Sequence, residues 1–142
     1  DRPVPRLPEI PGATVLSKTH YLVSGGGRGP AIEELMLVSD VLVTDYSSVM
    51  FDYALLDRPI VIYAPDWEEY VNARGVYFDL LSEAPGVVAR TPQELVAAFE
   101  TGAVWRAAHL RAAFRRRLGE FDDGQAAERV VRRVILGEAV GF

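Results

Sequence analysis

Two runs of aliphatic and β-branched residues, "VLV" at 41–43 and "PIVIYA" at 59–64, flank "SVMFDYALL" at 48–56. In that middle piece Met50, Tyr53, Ala54 and Leu56 fall at helical spacing as packing residues. Strand, helix and strand in so short a span form a βαβ unit, which requires a parallel sheet with a right-handed crossover. Continuous apolar character in "DVLVT" predicts a strand covered on both faces. Pro59 opens the next strand where no ladder donor is yet needed.

The neighbouring segments extend this pattern. "ATVLSK" at 13–18 reads as a further short strand, followed by a long glycine-rich loop, "THYLVSGGGRGP". "AIEELMLVS" has helical spacing, with Ile32, Leu35 and Met36 opposite Glu33 and Glu34. "VVAR" at 87–90 is another strand, and "TPQELVAAFE" a helix with Thr91 as N-cap, Pro92 at the first helical position and Glu94 closing a capping box. Helices are predicted at about 103–118 and 124–136, separated at Asp122, Asp123 and Gly124. "APDWEEYVNARGVYFD", at 64–79, reads as a long irregular loop after a strand end. The architecture expected is a small α/β layer with a helical tail.

Composition bounds the function. A hydrophobic content of 49% in 142 residues suffices for one buried core. With no cysteine, disulfides and thiolate metal sites are excluded, and neither paired histidines nor acids at ligand spacing argue for a metal. A net charge of -5 is the wrong sign for a general nucleic-acid binder. Basic charge is local, in "LRAAFRRRL" at 110–118 and "ERVVRRVI" at 128–135. Solvated helix faces are one reading of these runs, and a patch for anionic lipid headgroups or an acidic polymer is the other.

The junction "TDYSS" at 44–48 is the candidate site. In an open parallel sheet ligands bind beyond the carboxyl ends of the strands, where the next helices begin. A helix start offers unpaired amides and partial positive charge to a phosphate, and Ser47 and Ser48 add hydroxyl donors. Ordinary capping by either serine, or by Asp45 with Ser48 at N3, accounts for the same residues at about 1 kcal/mol. Both readings stand on these residues alone, and Asp45 as the cap would oppose a bound anion.

His20, just past the "TVL" run and beside Lys18, falls at the same sheet edge in this topology, where the pair would suit a pyrophosphate. In the 64–79 loop, Asp66 can accept from ribose or polyol hydroxyls, and Arg74 can grip a phosphate through two bonds. "GGGRGP" lacks the Lys and Ser/Thr of a P-loop, and Pro30 replaces the third glycine of a dinucleotide fingerprint, so it reads as a connection.

Taken together, "VSDVLVTDYSSVMFDYALLDRPIVIYAPDWEEY", "RGVYFDL", "APGVVARTPQELVAAF" and "FDDGQAAERVV" resemble, in order and spacing from about 37 to 136, the C-terminal part of the CDP-glycerol glycerophosphotransferase family, the polymerases and primases of teichoic acid. The resemblance implies an α/β fold: a Rossmann-like parallel sheet with flanking helices, the C-terminal lobe of a GT-B type transferase. Residues 1–12 would link it to an N-terminal lobe absent from this chain, and 13–142 would form the nucleotide-donor domain with its C-terminal helices.

The resemblance further implies that Ser47, Ser48 and the helix start behind them hold the donor's phosphates, with Lys18 near them. His20 matches the histidine of an arginine-x-histidine motif that contacts the pyrophosphate and is the catalytic residue of this lobe, while Asp66, Arg74 and Tyr77 lie in the donor-side loop. CDP-glycerol is then the donor substrate and a teichoic-acid-type polymer the acceptor, with no separate cofactor, metal or nucleic acid. The setting implied is cytoplasmic, at the inner face of the cell membrane with peripheral contact. Rival readings are a CDP-ribitol or nucleotide-sugar transferase and a non-catalytic nucleotide-binding module. The family's general base lies in the N-terminal lobe, so this chain alone is expected to be inactive. Two departures from the family pattern stand out. Lys18 replaces an arginine, losing the bidentate fork, and the segment between His20 and Ile32 is short.

Overall fold

The computed structural model describes residues 7–18 and 29–139. The chain runs α1 (Ile32–Val38), β1 (Leu42–Thr44), α2 (Val49–Ala54), β2 (Ile60–Tyr63), α3 (Trp67–Arg74), α4 (Leu80–Glu83), β3 (Val87–Ala89), α5 (Pro92–Glu100), α6 (Ala103–Arg106), α7 (Ala108–Leu118) and α8 (Ala126–Val130), which passes into a π-helical turn at Val131–Ile135. The three strands lie side by side in the order β1-β2-β3. Both pairings are parallel, with Val43 opposite Val61 and Ile62 opposite Val88. The βαβ expectation is thus met.

β2 is the centre of the molecule, and all four of its residues are buried. Because side chains alternate across a strand, Ile60 and Ile62 enter one core with Met50, Tyr53, Ala54, Trp67 and Phe114, while Val61 and Tyr63 enter a second with Leu95, Ala98 and Val104. α2 and α7 therefore cover one face and α5 and α6 the other. Phe51, Phe78 and Phe114 meet with centroids 5.1 to 6.3 Å apart, joining α7 to α2.

Five details differ from the sequence reading. Residues 13–18 form no strand and are mostly exposed, Val15 at 50% and Leu16 at 55%; three apolar residues give too small a face to stay in place without a paired neighbour. β1 is half-buried throughout rather than covered, because it is the edge of the sheet among the described residues. The helix at 103–118 is broken at Ala107, and that at 124–136 is α-helical only over α8 before widening into the π turn. The Thr91 hydroxyl accepts from the Glu94 amide at 3.1 Å as expected, but the Glu94 carboxylate reaches one residue further back, to the Arg90 amide at 2.6 Å.

The fifth difference is the largest. "WEEYVNAR" is the helix α3, not irregular chain, and it ends on Gly75 at φ 69°. Acids in its first turn, Arg74 in its last and a glycine after it are ordinary helix boundary signals.

Arg111 is 4% exposed on α7, its Nε donating to Asp57 at 3.3 Å while Nη1 is buried without a partner. Asp57 itself sits at φ 52°. Removing the acid leaves a buried cation, whereas replacing the cation by an apolar chain of similar length removes the need for one. Asp57→Ala should therefore cost about 2 kcal/mol in a chemical-denaturation midpoint, and Arg111→Met should cost well under that.

Candidate functional site

Because β1 and β2 are parallel neighbours, the loops that follow them leave the same edge of the sheet. The first loop is Asp45–Ser48 and the second leads into α3. Tyr46 joins them. Its hydroxyl donates to Asp66 Oδ1 at 2.7 Å, its ring stacks on Tyr70 at 4.0 Å between centroids, and Trp67 lies 5.6 Å away. Burial, first, and the Asp66 carboxylate, second, push the phenol's pKa upward, so it keeps its proton and donates across the physiological range.

Asp66 is the N-cap residue of α3, yet its side chain makes no capping bond to that helix. Its oxygen instead receives the Tyr46 hydroxyl.

Besides Tyr46, the serine loop has local anchors of its own. Asp45 Oδ1 accepts the Ser47 amide at 3.0 Å, an Asx turn that takes up one amide, while the Met50 and Phe51 amides close back on the Ser47 and Ser48 carbonyls. Ser47 Oγ accepts from the Val49 amide at a long 3.4 Å, and the Ser48 hydroxyl caps nothing. Both serines are exposed. Asp45 therefore caps Ser47 rather than reaching Ser48, and capping explains little of either hydroxyl.

The third loop at this edge follows β3 and begins with Arg90, whose guanidinium pairs with Glu68 in the first turn of α3. Its own backbone amide and then Arg90 hold the Glu68 carboxyl below the usual carboxylate range. Among the described residues, the loops after the strands carry Asp45 and Asp66, and the Arg90 guanidinium at the same edge is engaged by Glu68 of α3. An anion bound here would depend on amides and hydroxyls, with cations supplied from elsewhere.

The remaining predicted residues are dispersed. Lys18 Nζ donates to the Pro30 carbonyl at 2.8 Å, ahead of α1. Arg74 is exposed in the last turn of α3, so eight residues at 1.5 Å each set it ~12 Å along the helix from Asp66. Tyr77 lies beyond it and is fully exposed. His20 lies outside the described residues. The structure thus brings Asp66 to the serine loop and separates it from Arg74. Sequence reasoning passed over Tyr46, Tyr70 and Arg90; the aromatic inside "DYSS" and the arginine at a strand end were the available signals.

The basic runs near the C-terminus are largely engaged within the chain. Arg111 and Arg115 face Asp57, Arg129 grips Asp123 and the Phe121 carbonyl, and Arg132 pairs with Glu128. Among the described residues no group of His, Asp and Glu side chains is placed to hold a metal ion, and no helix is long and apolar enough to cross a membrane.

Against known families, residues 11–136 match the model of CDP-Glycerol:Poly(glycerophosphate) glycerophosphotransferase. The chain belongs to that family. Similar curated proteins include the teichoic acid poly(glycerol phosphate) polymerase of Bacillus subtilis, 43% identical over 61% of this chain and 13% of the relative. Another is the teichoic acid glycerol-phosphate transferase of Staphylococcus aureus, 39% identical over 72% of this chain and 27% of the relative. The teichoic acid ribitol-phosphate primase of Bacillus spizizenii is 37% identical over 70% of this chain and 25% of its own length.

Among solved structures, the wall teichoic acid polymerase TagF superposes with a TM-score of 0.68 and 29% identity, over 84% of this chain and 33% of that one. The α/β lobe with a parallel sheet and flanking helices is therefore a fold this family member shares with TagF. This chain spans a third of TagF and 13 to 27% of the two glycerol-phosphate relatives.

Proposed function

We propose that this chain is the donor-binding lobe of a glycerophosphotransferase that moves glycerol phosphate from CDP-glycerol to a teichoic-acid-type polymer. The observation that carries this reading is the family match over 11–136, laid on a parallel sheet whose "DYSS" loop emerges at the ligand edge. A variant of TagF soaked with CDPG, 32% identical with a TM-score of 0.62, gives the donor chemistry a precedent in a related fold.

In the reaction, a terminal hydroxyl of the polymer attacks the glycerol-bearing phosphorus. A new P–O bond forms, the pyrophosphate P–O bond breaks, and CMP leaves with that electron pair. Such a transfer needs positioning and charge stabilisation above all. Ser47 and Ser48 would orient the pyrophosphate through their exposed hydroxyls. His20 and Lys18 would stabilise charge on the departing phosphate, and Asp66, Arg74 and Tyr77 would line the donor side. The proton of the attacking hydroxyl would pass to a base on the N-terminal lobe. Membrane association, at the cytoplasmic face where the donor is available, would be peripheral.

A second reading has its own support: a teichoic acid poly(ribitol-phosphate) polymerase of Bacillus spizizenii is 45% identical over 46% of this chain, and the same lobe would then take a CDP-ribitol donor. Phosphate contacts do not read the polyol. Calorimetric titration of the chain with CDP-glycerol, CDP and UDP-glucose should give measurable and similar heats for the two cytidine nucleotides and less for UDP-glucose. Equally negligible heats from a folded chain would favour a non-catalytic module.

A further inference from the structure

We propose that Tyr46 is a positioning residue, whose hydroxyl bond to Asp66 fixes the Asp45–Ser48 loop against the start of α3 and so sets the geometry in which the two serines face the donor. This deepens the reading above and rests on it for the word donor; the loop geometry does not. The side chain spans two loops that arise from adjacent strands and are otherwise separate in sequence by 20 residues. It does so with three contacts of different kinds, a 2.7 Å hydrogen bond, a stacked ring and a tilted ring. The diversion of Asp66 is the second sign. An Asp at an N-cap ordinarily accepts an amide of its own helix. Here that acceptor serves the tyrosine, so the local helix forgoes a cap to hold the loop.

Ser47 and Ser48 need such a brace. Ser47 Oγ has one long contact and Ser48 makes no cap, so nothing in their own side-chain bonding fixes the direction of either hydroxyl's carrier. The loop's remaining anchors are Asp45, itself exposed, and the short turn into α2. Tyr46, between Asp45 and the serines, is partly buried against the core and transmits the rigidity of α3 to its neighbours.

The test uses Tyr46→Phe, which keeps the stacked ring and removes only the hydroxyl. Amide hydrogen exchange of Val49, Met50 and Phe51, which bond back onto Ser47 and Ser48, should quicken by about tenfold while the rest of the sheet is unchanged and the melting temperature moves by no more than about 2 °C. CDP affinity, read by calorimetry, should fall about five- to tenfold. Asp66→Ala should give the same local acceleration, and the double variant no more than either alone, since one bond cannot be lost twice. Tyr53→Phe is the control. Its hydroxyl also donates, to the Ser39 carbonyl at 2.9 Å, but away from the serine loop. It should lower stability and leave loop exchange and CDP affinity alone. Unchanged exchange in Tyr46→Phe, or exchange that quickens everywhere in step with a lowered melting temperature, would overturn the assignment. Absence of CDP binding in the unsubstituted chain would count against the proposed function, and the exchange measurements would still decide whether Tyr46 sets the loop.

Discussion

Gly86→Ala should be the most damaging Gly→Ala substitution among the described glycines, costing about 3 kcal/mol and lowering the melting temperature by about 10 °C by circular dichroism. Gly86 is buried at the entrance to β3. A Cβ built on it would penetrate the Ile60 carbonyl oxygen and sit 2.7 Å from the carbonyl carbon. Those atoms are backbone of the central strand, held on one side by β1 and on the other by β3, so they cannot turn aside as a side-chain tip can. Relief requires β3 to move away from β2, which breaks the ladder that carries Val87–Ala89. Gly75→Ala separates crowding from backbone strain. That glycine has φ 69° but open space where the methyl would go, so its replacement should cost only about 1 kcal/mol. Equal effects from the two substitutions would show that β3 is not pinned against Ile60.

How far the sequence reaches depends on the range of the forces involved. β2 was legible because a strand buried on both faces must be apolar at every position, and α5 because Thr91, Pro92 and Glu94 write its start locally. The serine loop was legible as a place, since strand end and helix start fix it. Its bonding was not. Whether Asp45 or a serine caps α2 turns on differences near 1 kcal/mol among short polar side chains, and the outcome, Asp45 on Ser47, follows from the exact turn. The tie from Tyr46 to Asp66 crosses 20 residues and arises only once two strands are paired. α3 was missed for a different reason. Its amphipathic pattern is weak, with Trp67 the only buried residue, and aromatics and acids after a strand end suggested a binding loop. The C-terminal boundary signal at Gly75 outweighed them. "ATVLSK" differs for the opposite reason: its residues suit a strand locally, but among the described residues no strand pairs with it.

Replacing Ser47 and Ser48 together by Ala should weaken CDP-glycerol or CDP affinity by about 10- to 100-fold, while the melting temperature falls by no more than about 3 °C. The structural side of this expectation comes from the loop itself. Both side chains are exposed, one hydroxyl makes a single 3.4 Å contact and the other makes no cap, so their removal deprives the fold of under about 1 kcal/mol. The binding side follows from electrostatics. With Asp45 occupying the Ser47 amide and Arg90 engaged by Glu68, the edge offers an incoming pyrophosphate few ready donors, and the two hydroxyls are a large share of them. Hydrogen bonds to a charged partner carry about 1.5 to 3 kcal/mol each, more than neutral ones, which is why the affinity should fall so much further than the stability. Isothermal titration and thermal melts on the same preparations measure both quantities. A melting temperature that drops while affinity holds would return the serines to a capping role and move the phosphate site elsewhere on the sheet edge.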